Sequence, residues 1–550
     1  MRPAGCEAQI LRALAEMPFL DRTGLAAITG RSRGAVHGAV ASLDRHGLCD
    51  AVTHASAHFP AVERFHLTAA GLERLAYGEG ISTDELLRSR PVSERWRTIL
   101  LERLDAVAAV YRLAAVLSGL AHPISFQWFR AAPLDAVVSL PDGRTVGIVR
   151  RGHTTDRTPF AKRMWKLRQG PLPGAVLVLM PDAVRLRHSR RMLDGFPVPL
   201  FLAVESDAVS ATLDDPVWSP QAVNAAVSLR QVLERLEPGG ELPVEAEPQR
   251  AILPGDLAAA GPGWRVPDCL LPAVLRPAEK RAIDLIGDWP WVSIKDLAGM
   301  TGVSPQRASQ VVLPLEALNL VVRPGGANGR LALADRALAM LARRDRTSVS
   351  MARSRWSAAP LFPGEPFHWT NVSGRQTRQL LRNLAHTAAV HAFLAAMTTQ
   401  AAQLEWEVTQ LDPPRRASRY FRHQGGMRAV SPDAFGLLSR GDTTWPFFLE
   451  WERRAVRPST MSARLAPYLR YYSSLRPTDD HGAQPAVLVV LDDDIAQTHF
   501  LRLAREEMQA AGVSVPLWVS HREAVEELGP LGLAWRTPAD PEPAQYILPR

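Results

Sequence analysis

Apolar residues recur at helical spacing over Cys6–Met17, Thr23–Ile28 and Ser32–His46, with Gly30 placed to close the second segment and Ser32 to cap the third. Two short alternating stretches follow, Cys49–Thr53 and Arg64–Leu67, and then a helical pattern from Thr68 to Tyr77. The same order returns later in the chain. Helical patterns cover 277–287, 293–300 and 304–318, a hairpin pattern covers 320–332 across the turn PGGANG (324–329), and a last helix covers 334–343. Between and after these parts the pattern changes to continuous apolar runs alternating with helices, which predicts α/β layers with largely buried sheets. In the later one we expect a helix at Arg378–Thr399, a strand at Glu405–Gln410 and a strand pair at Ala434–Leu438 and Phe447–Glu452. A helix at Thr460–Tyr472, a strand at 486–491, a helix at 495–511 and a strand at 515–520 complete it.

The two halves read as copies of one another. TGRSRGAVHGAVASLDRHGL (29–48) pairs with TGVSPQRASQVVLPLEALNL (301–320), and AVYRLAAVL (109–117) with AVHAFLAAM (389–397). LDAVVSL (134–140) pairs with PDAFGLL (432–438), AVLVLMPDA near 175 with AVLVVLDDD near 486, and VPLFLAVESDAV (198–209) with VPLWVSHREAV (515–525). Five segments in unchanged order point to a duplication. Residues 238–277 hold eight prolines, so the join reads as an irregular linker. The expected domains are therefore 1–80 and 276–345 (helical), 95–235 and 375–535 (α/β), with the linker at 236–275.

Three helices followed by a strand pair resemble the winged helix-turn-helix family. The resemblance rests on "LAAITGRSRGAV…LDRHGL" and "LAGMTGVSPQRASQVVLPLEALNL". It implies a third helix laid in the major groove of duplex DNA with base-reading residues near its N-terminus. Those positions are Arg31, Ser32, Arg33 and His37 in the first half. In the second they are Ser304, Gln306, Arg307 and Gln310, with Arg323 and Arg330 on the wing. Arg and Gln bond base edges and phosphates, whereas a protein-docking face would favour apolar side chains there.

WPFFLEWERRA (445–455) places Glu450 and Glu452 two residues apart in an otherwise apolar strand, so both carboxylates share a face and need neutralising. Asp433 enters the preceding strand 17 positions before Glu450. This arrangement resembles the PD-(D/E)XK nuclease superfamily, in which two acids hold a divalent cation and a lysine two residues after the second activates water. More closely, FFLEWERR (447–454) followed by ARLAPYLRYY (463–472) is similar to the "ffLExDR" strand and "KxxxY" helix of the replication-relaxation family, whose members join a winged helix to a nuclease-like fold. The resemblance implies an α/β fold of two tandem winged-helix plus nuclease-like modules, with Asp433, Glu450 and Glu452 as the Mg²⁺-holding set if the site is active. Glu452 stands where that superfamily has lysine, and no lysine follows Lys295. Alignment of GIVRRG with FLEWER sets Val149 opposite Glu450 and Arg151 opposite Glu452, leaving Asp135 as the one acid of the first half. Three environments fit the glutamate pair: a metal site with Asp433, an ion-pair network with Arg453, Arg454 or Arg464, or an exposed sheet edge.

Composition narrows the class without changing this picture. Hydrophobic content of 46% and charged content of 22% describe a folded chain of several domains. Neither a signal-peptide core nor a long apolar span is present, and Cys6, Cys49 and Cys269 support no disulfide framework, so a cytoplasmic protein with no membrane partner is expected. The net charge of +8 is almost entirely arginine, since lysine occurs only at Lys162, Lys166, Lys280 and Lys295. Arginines Arg343, Arg344, Arg346, Arg353, Arg355, Arg375, Arg378 and Arg382, interleaved with Trp356, Phe362, Phe367 and Trp369, form one basic stretch. Arg415, Arg416, Arg419, Arg422 and Arg428, with Tyr420 and Phe421, form another. Both suit phosphate contact and base stacking, or a solvated face. The acids at 492–494 read as helix-capping residues after a strand, and the scattered histidines and glycines support neither zinc nor a nucleotide loop. The expectation is a DNA-binding accessory or regulatory protein of the plasmid replication-relaxation kind, needing no cofactor. It would partner duplex DNA and other proteins of a DNA-processing complex, with oligomers allowed. A Mg²⁺-dependent endonuclease using Asp433, Glu450 and Glu452 is the alternative, and a protein-interaction scaffold or transcriptional regulator a third.

Overall fold

The computed structural model describes all residues except 1–4, 154–156, 222–224, 246–250, 258–265, 326, 453–457, 543–544 and 549–550. The fold is mixed α/β and divides into two compact units. One comprises residues 1–281 with 339–349, the other 282–338 with 350–550. No helix among the described residues is long and apolar enough to cross a membrane.

The first unit begins with helices Cys6–Glu16, Arg22–Thr29 and Arg33–Arg45. Asp21 caps the second through Gly24 N–H, Gly30 closes it at φ +65°, and Ser32 caps the third through Ala35 N–H. Strands β1 (Cys49–His54) and β2 (Val62–Leu67) pair antiparallel, and the Ala69–Glu79 helix follows. A six-stranded sheet comes next: β3 (Ser125–Trp128), β4 (Ala136–Ser139), β5 (Thr145–Arg150), β6 (Ala175–Met180), β7 (Leu200–Val204) and β8 (Ser219–Pro220), neighbours in that order. β5, β6 and β7 run parallel and the outer pairs antiparallel. One sheet face, with Ile148, Leu177 and Leu179, shares a core with the Leu104–Ser118 helix and the N-terminal helices. Helices Arg157–Gln169 and Ala183–Met192 cover the other face, packing against Val149, Val176, Val178 and Met180.

The second unit holds helices Ile294–Thr301 and Pro305–Ala317 and a short antiparallel pair, β9 (Val321–Val322) and β10 (Ala332–Leu333). Its main sheet contains β11 (Glu407–Asp412), β14 (Ala434–Arg440), β15 (Thr443–Trp451), β16 (Ala486–Leu491) and β17 (Leu517–His521) in that order, with β15, β16 and β17 parallel. Between β11 and β14 the chain forms a separate antiparallel ribbon, β12 (Arg419–His423) and β13 (Gly426–Val430).

Several expectations are corrected. The single helix expected at Arg378–Thr399 is two, Arg375–Arg382 and Leu384–Gln403, parted at Asn383 by φ −115°. Arg103 makes the same break, φ −118°, before the Leu104–Ser118 helix. The end of the expected linker is core instead: Leu271 and Leu275 are fully buried in the first unit, because LLPAVL supplies enough apolar surface to pack a short helix. Residues 339–349, of which 339–345 were expected in the second helical domain, belong to the first unit. The ribbon in the arginine-rich stretch gives no polar–apolar alternation, because Arg419 is buried while Tyr420 and Met427 face outward.

Candidate functional site

The two sheets repeat one local geometry. In the second unit Asp433 N donates to Leu449 O, and Asp433 Oδ2 accepts from Trp451 N at 2.9 Å. In the first, Asp135 N donates to Ile148 O, and Asp135 Oδ2 accepts from Arg150 N at 2.6 Å. One residue further, Glu450 pairs with Val489 and Val149 with Val178; then Glu452 N donates to Val490 O and Arg151 N to Leu179 O. Strand register thus sets Val149 at the position of Glu450 and Arg151 at that of Glu452.

In the second unit the acids are occupied. His386, on the Leu384–Gln403 helix, holds Asp433 Oδ1 at 3.0 Å. Tyr468 and Arg464 lie four residues apart on the Pro458–Tyr472 helix and so reach the same strand end. Tyr468 donates to Glu450 Oε1 at 2.5 Å, and Arg464 Nη1 sits 3.5 Å from Glu450 and 2.8 Å from Glu452, the latter without the alignment of a hydrogen bond. A cavity of about 20 Å³, lined by Glu450, Glu452, Arg464, Tyr468 and apolar strand residues, adjoins them. Burial, reinforced by the Asp433 charge, pushes the Glu450 carboxyl up to about 8 despite Tyr468 and Arg464. Burial also raises Glu452. Arg453 and Arg454, named as neutralising partners, lie outside the described residues; Arg464 takes that role.

The resemblance implies a divalent cation here, and the donor set does not fit one as arranged. Asp433 spends one oxygen on a backbone N–H and the other on His386. Among the described residues no three His, Cys, Asp or Glu side chains gather closely enough to hold a metal ion.

The first unit fills the corresponding place with cations. Asp135 pairs with Arg163 at 2.8 Å and Arg346 at 2.7 Å. Beside it Arg150 makes a two-pronged contact with Glu205 at 2.6 and 3.0 Å and lies 3.6 Å from Asp345. Gly152 is required here, since a Cβ would stand 2.1 Å from an Asp345 oxygen. Burial raises Asp135, but Arg163, Arg346 and the Arg150 N–H outweigh it and hold the carboxyl well below the usual carboxylate range. Arg344 and Arg346, expected on a phosphate-facing surface, are instead nine-tenths buried in this network, drawn in by Asp345 and Asp135.

The expected DNA-contacting residues divide. Arg31, Ser32, Arg33, His37, Ser304, Gln306, Arg307 and Gln310 are all exposed at the starts of the Arg33–Arg45 and Pro305–Ala317 helices. Arg31 bonds Gln9 at 2.6 Å and Arg307 bonds Gln310 at 3.2 Å. On the hairpin, Arg323 pairs with Glu316 at 2.7 Å, and Arg330 is half-buried, donating to Trp291 O at 3.0 Å. Arg415 is exposed and lies over the Trp356 ring at 5.8 Å. Arg416 and Arg419 are corrected: both are buried. Arg416 is drawn in by Asp412 and Asp288. Arg419 donates to the carbonyls of Arg416, Ala417 and Ser418 and stacks over Phe435 at 4.8 Å. Arg419→Ala is expected to destabilise the second unit by about 2–4 kcal/mol, since those carbonyls lose their donor and the ribbon its anchor. Chemical denaturation with hydrogen exchange over residues 414–435 measures it; an unchanged midpoint contradicts the anchoring role. The acids at 492–494 behave as expected of caps, with Asp493 accepting from Ala496 N at 2.7 Å.

Sequence reasoning missed His386 and Tyr468 as partners of the acids, and it missed Arg163 and Arg346 as partners of Asp135. The "KxxxY"-like helix face signalled Tyr468; nothing local signals the others. Comparison with family models, with curated proteins and with solved structures returned no match.

Proposed function

We propose that this chain binds duplex DNA through two winged helix-turn-helix parts, each followed by a nuclease-like α/β part that binds or scaffolds without cutting. The observation that carries the reading is the shape of the two third helices. Each buries one apolar stripe (Val36, Ala39, Val40 and Leu43; Ala308, Val312 and Leu315) and leaves its serine-capped, polar N-terminal turn open to solvent beside a two-stranded hairpin. A groove-reading helix needs that combination. The shared strand register and sheet direction support a tandem duplication, and the family likeness of FFLEWERR supports an accessory or regulatory role in replication or relaxation of a mobile element. A non-cleaving reading is supported by Glu452 at the lysine position, by the hydrogen bonds that occupy Asp433, and by the arginines around Asp135.

The test is fluorescence anisotropy on a labelled duplex together with plasmid cleavage in Mg²⁺. Binding is expected to weaken steeply and log-linearly with salt. Arg33→Ala combined with Arg307→Ala is expected to cost about 1–3 kcal/mol. Supercoiled plasmid is expected to stay intact. No retention of duplex at moderate salt sinks the DNA reading in favour of a protein scaffold, and Mg²⁺-dependent nicking lost in Glu450→Ala sinks the non-cleaving one.

A further inference from the structure

Helices Arg157–Gln169 and Ala183–Met192 lie on the sheet face away from the core that the third helix shares. They carry five and four Lys or Arg residues respectively and no Asp or Glu; Asp182 caps the second and pairs with its Arg185, and Arg163 turns inward, which leaves this face with an excess of positive charge. Their apolar sides, with Phe160, Met164, Leu167 and Leu186, are spent on the sheet. What remains outward on the first helix is a stripe of Lys162, Trp165, Lys166 and Gln169, all exposed and spaced as one helix face.

Trp165 is 60% exposed. A single exposed apolar ring is ordinary on a protein surface; what sets this one apart is its place between two of the four lysines in the chain. Neither Lys162 nor Lys166 has an ion-pair partner among the described residues, whereas Arg163 between them turns inward to Asp135. Arg168, also exposed, extends the basic edge and donates to Gly195 O at 2.7 Å. Cations beside a free aromatic plane fit a polyanion whose own rings are accessible for stacking. In an intact duplex the bases are stacked on one another, and Trp165 would have nothing to face.

We propose that the Lys162–Trp165–Lys166 face binds single-stranded nucleic acid, with a base stacked on Trp165 and the flanking phosphates on the lysines. This deepens the nucleic-acid reading above and rests on it for the class of partner, but it uses a surface separate from the third helices. A chain that holds a duplex and an unpaired strand on different faces is suited to melted or nicked DNA.

The experiment uses the full chain with labelled oligo(dT) and a labelled mixed-sequence duplex. Trp165→Ala is expected to weaken oligo(dT) binding about tenfold while Trp165→Phe keeps most of it, with duplex binding unchanged for both. Lys162→Glu with Lys166→Glu is expected to weaken oligo(dT) by about tenfold or more and to flatten its salt dependence. Circular dichroism checks that each variant is folded, which the outward position of these residues favours. Oligo(dT) bound equally by Trp165→Ala and wild type overturns the proposal, as does polyglutamate competing as well as unlabelled oligo(dT). Trp165-dependent oligo(dT) binding without any duplex binding supports this face and removes the third-helix reading instead.

Discussion

Asp135→Ala is expected to destabilise the first unit by about 3–5 kcal/mol, the range for removing one partner of a buried ion pair. The loss is large because the substitution strands two guanidinium groups. Arg163 keeps the carbonyls of Pro133 and Arg150, and Arg346 keeps those of Arg130, Ala132 and Leu134, but among the described residues neither keeps an anion at contact distance. Their mutual repulsion then acts on Arg103, which burial and the Arg346 charge already hold down to about 10. Replacing Asp135, Arg163 and Arg346 together by Leu, Met and Met is expected to recover part of the loss: an apolar set avoids the desolvation cost of two stranded cations, but leaves the carbonyls that Arg163 and Arg346 serve without those donors. Urea denaturation of the single and triple variants measures both; a triple variant no more stable than Asp135→Ala contradicts the charge argument. The direction with pH follows from the same contacts. Asp135 has a folded value below its unfolded one, so its contribution is present above the unfolded carboxylate range and is lost as pH falls.

Glu450 behaves in the opposite sense, and this gives the second large effect. Its folded value, about 8, lies above the ordinary glutamate value of 4.5. Its contribution is therefore full below pH 4.5 and is lost as pH rises towards 8. The cause is the closed strand end: burial first, then the Asp433 charge, opposed by Tyr468 and Arg464. Hydrogen exchange over β14, β15 and β16 is expected to quicken from pH 5 to pH 8 beyond its intrinsic chemical rate. Glu450→Gln, which keeps an acceptor for Tyr468 and cannot ionise, is expected to remove that excess. An excess that survives the substitution rules Glu450 out as its source. A peptide spanning β4 and β5 is expected to show no such rise, since Val149 stands where Glu450 does.

These two effects show how much was written locally. The positions of Asp135 and Asp433 were legible in LDAVVSL and PDAFGLL, and Glu450 and Glu452 and their absence from the first half in FLEWER and GIVRRG; strand register places them as those strings suggest. The helix caps at Ser32 and Asp493 were legible too, because a cap is a bond between a side chain and a backbone N–H three residues on. What the arginines do was not legible. Arg415, Arg416 and Arg419 read as one basic stretch, yet the latter two are buried and the first is exposed. Arg343–Arg382 read as another, yet Arg344 and Arg346 are spent inside the first unit.

By itself, then, the chain determined where most of the helices and strands fall and which strands carry carboxylates. Periodicity and capping act over a few residues, and sequence carries that information directly. Only the tertiary structure decided which charges meet: that Arg346, more than two hundred residues from Asp135, neutralises it, that His386 and Tyr468 occupy Asp433 and Glu450, and that Trp165 and its lysines are left facing solvent. Arginine looks the same in sequence whether it faces water or an acid, and the cost of burying it unpaired is set by what folding brings within about 3 Å of it.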